Sequence, residues 1–247
     1  MTKWFVGTVV FFLVYLFFMV TLIPAQWVVN QISLPKNVML QGVEGSIWKG
    51  RIQRVVLDGY TINKVNTEVN LLALIMFNPT VDATFGGALV NGPEGKATVS
   101  HLLGDIELND AEISVSANDI AQQLPLPIPL TAQKFIDINI SQFVMGQPLC
   151  QQLSGDIQWN KAAIKALDQK VNLGTLSGEL TCDKGRVKFT VNPKNDLGLT
   201  FDAYVQSPER ISGSGYLKPG KNFPAVLKDG LPFIGNADNK GRYKLNF

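Results

Sequence analysis

The side chains that most often carry chemistry are few and scattered in this chain of 247 residues. His101 is the single histidine, and no Cys-x-x-Cys or second histidine stands at a ligand spacing, so we expect no metal site. No Gly-x-Ser-x-Gly elbow offers a nucleophile, and the carboxylates fall on the predicted polar faces of strands, where they protect strand edges. These features predict a protein that is not an enzyme and holds no cofactor; a hydrolase that uses His101 is the enzymatic alternative.

The two cysteines, Cys150 and Cys182, are the only pair that can form a disulfide within the chain. An oxidising compartment outside the cytoplasm would permit that bond, which would stabilise the fold by roughly 3 to 4 kcal/mol in the chain-entropy model. Two separate buried thiols are the alternative.

A glycine-rich stretch follows the first predicted strand and reads Gly45-Ser46-Ile47-Trp48-Lys49-Gly50. Its glycines, Gly45 and Gly50, mark backbone that bends or takes a positive φ, and Trp48 supplies a large apolar anchor between them. A phosphate-binding loop would need a Lys-Ser or Lys-Thr pair behind the glycines, and this stretch has neither. The residues alone therefore predict a structural turn.

The longest apolar run extends from Trp4 to Ile23 without a charge or a proline. Because about 20 apolar residues let a helix cross the hydrocarbon core of a bilayer, we predict one transmembrane helix over residues 4–23. No small-x-small cleavage site follows, and this favours an uncleaved anchor over a cleaved signal peptide. Lys3 precedes the run, so residues 1–3 should form a cytoplasmic tip, with the main body on the other side of the membrane.

The remaining composition argues against a nucleic-acid partner. A formal net charge of +2 and 17% charged residues create no strong field of either sign. The part after the predicted helix is long enough for one large or two small domains. We divide it into a lead-out over residues 24–37 and a β-rich domain over residues 38–247.

Apolar and polar residues alternate with a period of two along most of that domain, for example at Ile136, Ile138 and Ile140. Turn-forming residues such as Asn109-Asp110 are predicted to break the alternating segments. The pattern predicts an all-β domain of antiparallel strands, either sandwich-like or a long curved sheet, with one N-terminal transmembrane α-helix. Short helical turns are predicted at residues 118–124 and 160–167. The three prolines of residues 124–130 exclude a central strand and suggest an extended connector between two halves of the domain.

Several aromatic residues fall on the apolar positions of predicted strands. They are Trp48, Phe85, Trp159, Phe189 and Phe201. Apolar stripes in strands usually form a closed core, and we prefer that interpretation. An open groove lined by the same side chains, able to hold acyl chains, is the alternative.

The chain resembles the type II secretion system protein N family, also called general secretion pathway protein N. The resemblance covers essentially the whole chain, and three features carry it: the membrane span after a short tip, residues 45–50, and the cysteine pair. Residues 45–50 match the family pattern Gly-Thr/Ser-x-Trp-x-Gly at Gly45, Ser46, Trp48 and Gly50. Cys182 stands in the sequence Leu180-Thr181-Cys182-Asp183-Lys184-Gly185.

The resemblance implies a single-pass inner-membrane protein whose main body lies in the periplasm. It implies an accessory component of the machine that moves folded proteins across the outer membrane, acting by binding and scaffolding among other type II secretion proteins. A second hypothesis comes from membrane-anchored proteins of the AsmA-like kind, whose long sheets hold or convey lipid on a concave apolar face.

Overall fold

The computed structural model describes residues 2–31, 38–57, 60–76, 78–87, 90–100, 106–122, 130–166, 169–207 and 210–246. These residues form fourteen β-strands and six helices. Every recorded strand pairing between the described residues is antiparallel, which confirms the predicted class. The chain divides into two compact units, residues 1–91 (unit 1) and residues 92–247 (unit 2).

Two helices open unit 1, namely α1 (Thr2–Thr21) and α2 (Ala25–Gln31). The predicted helix over residues 4–23 is thus present as α1, and its membrane-spanning role stays a prediction. Helix α2 forms the first half of the predicted lead-out, whose residues 32–37 lie outside the described residues. Within the described part of the chain, none of the helices is both long and apolar enough to cross a bilayer.

Four strands of unit 1 pair in chain order. They are β1 (Val38–Gly45), β2 (Lys49–Leu57), β3 (Tyr60–Val69) and β4 (Val81–Phe85). Ile52 pairs with Val43 on one side and with Val65 on the other, so apolar positions fall in a row across the strands. Between β3 and β4 lies the short helix α3 (Leu71–Ile75), which begins after Asn70 because the Asn70 side chain accepts two backbone N–H groups of its first turn.

Unit 2 contains ten strands and three short helices. The strands are β5 (Glu94–Ser100), β6 (Glu107–Ser116), β7 (Leu130–Gln133), β8 (Phe135–Met145), β9 (Cys150–Ala166), β10 (Gln169–Asp183), β11 (Arg186–Val191), β12 (Leu199–Ser207), β13 (Arg210–Leu217) and β14 (Tyr243–Asn246). The helices are α4 (Ala117–Ala121), α5 (Ala225–Lys228) and α6 (Leu231–Ile234). The strands follow one another in a single sheet, except that β7 pairs with the far end of β9. Of the two predicted forms, the recorded pairings of the described strands fit one long sheet.

A buried cluster closes one end of this sheet. Its members come from three strands, from the segment just before β12, and from the segment between β13 and β14: Ala162, Val171, Leu173, Leu217, Leu197, Phe223 and Leu231. Phe223 and Leu231 cover apolar strand residues at that end because the chain folds back over the sheet before β14. This buried cluster occupies one part of the apolar face, and the assignment of the aromatic residues to a closed core stays a prediction.

Two local predictions are wrong, and the reason is strand pairing. Residues 160–166 were predicted to be helical but belong to β9, where residues 163–166 pair with both β7 and β10. The predicted break at residues 109–110 is an irregularity inside β6, since Asp110 takes a positive φ and the strand continues. The proline-rich connector lies outside the described residues except for Leu130, which begins β7.

Candidate functional site

The glycine-rich stretch 45–50 forms the turn between β1 and β2. Gly45 has φ +87°, and a Cβ there would collide with the Lys49 carbonyl, so the position requires glycine. The Ser46 N–H donates to the Lys49 carbonyl at 3.1 Å, and the Lys49 N–H donates to the Ser46 hydroxyl at 3.3 Å. Gly50 is buried, and a Cβ there would lie 2.7 Å from the Thr67 hydroxyl of β3. At both glycine positions of the predicted turn, a larger residue would thus collide with a neighbouring group.

The same turn holds the end of α1. The Trp48 indole N–H donates to the Val20 carbonyl at 3.0 Å, and the Ile47 N–H donates to the Ile23 carbonyl at 3.1 Å. Ser46 also forms an isolated antiparallel bridge with Pro24. We call these contacts between the β1–β2 turn and residues 20–24 the junction.

The junction satisfies hydrogen-bonding groups that a helix leaves open. The last carbonyls of an α-helix have no partner within the helix, and Val20 is the second-last residue of α1. Trp48 supplies the missing donor from its ring, and its own carbonyl accepts from Val69 N–H at 2.9 Å. Trp48 is half-buried, so it acts here as a polar connector as well as an apolar anchor. Sequence reasoning identified the residue but missed this contact.

A polar cleft of about 400 Å³ lies beside the turn within unit 1. Acidic and basic side chains line it, among them Glu44, Arg51 and Asp82. Lys49 and Glu68, which also border the cleft, form an exposed ion pair at 2.8 Å. Charges of both signs on an exposed surface suit a complementary polar partner.

The predicted disulfide between Cys150 and Cys182 is confirmed, with Cα atoms 6.1 Å apart. Cys150 begins β9 and is buried, whereas Cys182 lies near the end of β10. The Leu149 and Cys150 N–H groups donate to the Gly185 carbonyl in the β10–β11 turn at 3.0 and 3.3 Å. The disulfide and these two hydrogen bonds therefore hold the start of β9 against the turn of the β10–β11 hairpin.

Three of the five aromatic residues that the sequence places on apolar strand positions lie together on one face of unit 2. Trp159, Phe189 and Phe201 line an apolar cavity of about 370 Å³ that is partly open to solvent. Ten of its eleven described lining residues are apolar, and the eleventh is Ser177. Phe85 lies at the end of β4 in unit 1 and Trp48 in the junction, so neither belongs to this cavity. Three of the five aromatic residues thus line one cavity, and its use as a groove for acyl chains stays a prediction.

Glycines on neighbouring strands make room for two of these rings. A Cβ on Gly178 would collide with the Phe189 ring, and a Cβ on Gly215 would lie 2.8 Å from Cδ2 of Phe201. Both rings can therefore lie against the sheet and form the floor of the cavity, as aromatic residues do over strand glycines. The strand periodicity marked the aromatic residues, but the register that places glycines beneath them was not predictable.

Charged groups form ion pairs on the surface of unit 2. The Arg242 guanidinium and the backbone N–H groups of Arg242 and Lys240 donate to the Asp238 carboxylate and lower its pKa from 3.8 to about 2. The same guanidinium lies 4.2 Å from the centre of the Tyr216 ring. Hydrogen bonding to Asp202 raises the pKa of the Lys188 ammonium group. These pairs are exposed or half-exposed, which is typical of structural surface pairs.

No group of three or more possible metal ligands is found in the part of the chain that the structure describes. His101, the residue that the hydrolase alternative requires, lies outside the described residues. The geometry thus offers a junction, a polar cleft and an apolar cavity as candidate sites, all suited to binding.

Comparison with known proteins identifies a family and relatives of the chain. A family model described as type II secretion system (T2SS), protein N, matches residues 36–246. A type II secretion system protein N of Aeromonas hydrophila is 31% identical over 96% of this chain and 94% of its own length. The corresponding protein of Vibrio cholerae is 29% identical over 91% of this chain and 89% of its own length. No solved structure matches the chain.

Proposed function

The chain belongs to the type II secretion system protein N family, and from this membership we propose that it is an accessory inner-membrane component that acts by binding and scaffolding. Family membership makes it a component of type II secretion, associated with other proteins of that system. In the proposed role, α1 holds the chain at the inner membrane, and the β-rich body contacts other components in the periplasm. No catalytic step is assigned to it.

The observation that carries this proposal is the junction. Trp48 and Ile47 attach the end of an apolar helix to the first strands of unit 1 through two hydrogen bonds of 3.0 and 3.1 Å. A component that positions partners relative to a membrane needs a defined link between its anchor and its binding body. The family motif lies at this link, and the polar cleft beside it offers charged side chains to a partner.

Two further observations support the proposed location. Described side chains of α1 such as Phe11, Leu13 and Phe17 are 66%, 61% and 64% exposed, which suits an apolar environment. The disulfide in unit 2 is the kind of bond that persists in an oxidising compartment such as the periplasm.

We expect Trp48→Phe to reduce release of a type II substrate into the medium, because phenylalanine keeps a ring but lacks the N–H that binds the Val20 carbonyl. Secretion would be measured in cells whose own copy of the gene is replaced by the variant, at equal protein level. Trp27→Phe is the matched control, since Trp27 lies in α2 and is 60% exposed. Normal secretion with both Trp48→Phe and Trp48→Ala would contradict the proposed role of the junction.

A further inference from the structure

The apolar cavity of unit 2 has a shape and a chemistry that its role in a scaffold does not explain. We propose that it binds one acyl chain of a membrane phospholipid, with the head group left in solvent. This inference rests on the cavity itself and on family membership in a cell-envelope system, and it does not depend on the scaffolding role.

The cavity lies beside the buried core of unit 2. Trp159, Leu176 and Leu199 line the cavity and also pack against the buried cluster that Phe223 and Leu231 cover. That end is therefore closed by protein, while Ile120 of α4 contributes a further wall and is itself 37% exposed. An apolar chain with one free end fits a site that is closed at one end and open at the other.

The described lining offers almost nothing to a polar ligand. None of its residues is charged, and the one indole N–H, on Trp159, already donates to the Gln133 carbonyl at 2.9 Å. An extended peptide would leave backbone N–H and C=O groups unpaired there, which is costly. The carboxylate of a free fatty acid would find no cation among the described lining residues. A hydrocarbon chain whose polar group stays outside needs no partner.

The size of the cavity also suits a chain rather than a small solvent molecule. An apolar cavity of about 150 Å³ stays dry and binds benzene. The cavity here is about 370 Å³, and it therefore has room for a substantially longer hydrocarbon. Phe189 and Phe201, which lie against Gly178 and Gly215, give it a smooth aromatic floor.

The source of the ligand follows from the family. A component of a cell-envelope secretion system works beside phospholipid, and helix α1 of the chain exposes mostly apolar side chains. A membrane phospholipid is thus the nearest supply of acyl chains.

The test is photocrosslinking of the full-length chain in its native envelope. A benzophenone-bearing phenylalanine analogue would replace Phe201, which lines the cavity, or Thr200, the adjacent exposed residue of β12 on the opposite face. Mass spectrometry of the digested protein then identifies phospholipid or peptide adducts. We expect phospholipid adducts when the analogue stands at position 201 and none when it stands at position 200.

A cavity-filling variant checks that the adduct reports occupancy. Ile138→Trp in β8 places a larger apolar side chain in the cavity, and we expect lipid adducts from position 201 to fall to the level seen at position 200. Asn139→Trp, at the next, exposed position of the same strand, is the matched control and should leave them unchanged. Resistance to limited proteolysis equal to that of the unsubstituted chain shows that each variant folds.

The other outcomes overturn the proposal. Protein adducts at position 201 without lipid would mean that apolar side chains of a partner fill the cavity. Lipid adducts of equal yield at positions 200 and 201 would mean general membrane contact. No adduct at position 201, in cells where the analogue is incorporated and position 200 reacts with other molecules, would mean an empty or closed cavity.

Discussion

At the scale of single residues, the glycines beneath the Phe189 and Phe201 rings leave no room for a larger side chain. A Cβ on Gly178 would collide with the Phe189 ring and lie 2.5 Å from the Thr190 carbonyl oxygen on the neighbouring strand. Because one of these neighbours is backbone, the collision cannot be relieved by a side-chain rotation alone. We expect Gly178→Ala to lower the free energy of unfolding by about 1 to 3 kcal/mol, as overpacking does.

Urea unfolding of the full-length chain in detergent, followed by tryptophan fluorescence, would measure this loss. Gly220→Ala is the control, since apart from its chain neighbours no described atom lies within 4 Å of the Cβ that it would add. Equal stability of both variants would show that the β10–β11 register differs from the one described.

Also at the residue scale, the Asp238–Arg242 pair predicts a dependence of stability on acid pH. The pKa of Asp238 is lowered from 3.8 to about 2 by its bonds to Arg242 and Lys240. A lowered folded-state pKa contributes stability above the unfolded value, and this contribution is lost as pH falls from about 4 toward about 2. Asp238→Asn should remove this contribution to stability. The difference in melting temperature between the variant and the unsubstituted chain should therefore shrink as the pH falls through that interval.

Melting curves recorded between about pH 6 and about pH 2 would show the effect. Asp229→Asn serves as the control because Asp229 is an exposed acid at the end of α5. A constant difference between Asp238→Asn and the unsubstituted chain across the interval would mean that the ion pair does not form in solution.

At the scale of secondary-structure elements, the disulfide holds β9 and β10 at the end farther from their hairpin. It closes a loop of 32 residues, for which the chain-entropy model gives about 3 to 4 kcal/mol. We expect the double variant Cys150→Ala, Cys182→Ala to lose roughly this much free energy of unfolding. Adding a reductant should destabilise the unsubstituted chain similarly and leave the double variant unchanged, and a reductant effect on both would point to another cause.

The same elements show what the sequence could predict. The alternation of Ile136, Ile138 and Ile140 predicted β8, because the two faces of a strand depend only on its own side chains. The strand state of residues 160–166 was not predictable, since it arises from pairing with β7 and β10. Pairing partners lie far away in the chain, and periodicity carries no information about them.

The candidate sites follow the same rule. Residues 45–50 and the aromatic set were marked by composition and spacing, whereas the bond from Trp48 to Val20 joins residues 28 positions apart. The cavity likewise depends on the register that sets Phe189 against Gly178. Sequence therefore named many of the residues involved, and only the paired strands showed what they contact.

At the scale of the whole molecule, the oxidation state of the two cysteines indicates the compartment that contains unit 2. The thiols of Cys150 and Cys182 can form their bond only where the surroundings are oxidising, so export of the body should precede oxidation. Deleting residues 2–21, which removes α1, should leave the body in the cytoplasm with both thiols reduced. Alkylation in intact cells, followed by mass spectrometry, would find two modified cysteines in the deletion variant and none in the full-length chain.

A cleavable signal peptide fused to the deletion variant provides the control for this prediction. It should restore oxidation, because it returns the body to the periplasm without restoring α1. Secretion should nevertheless stay defective, since the junction would have no helix end to hold at Val20. Reduced thiols in the full-length chain would contradict a periplasmic body, and normal secretion by the soluble form would show that the machine does not need the anchor.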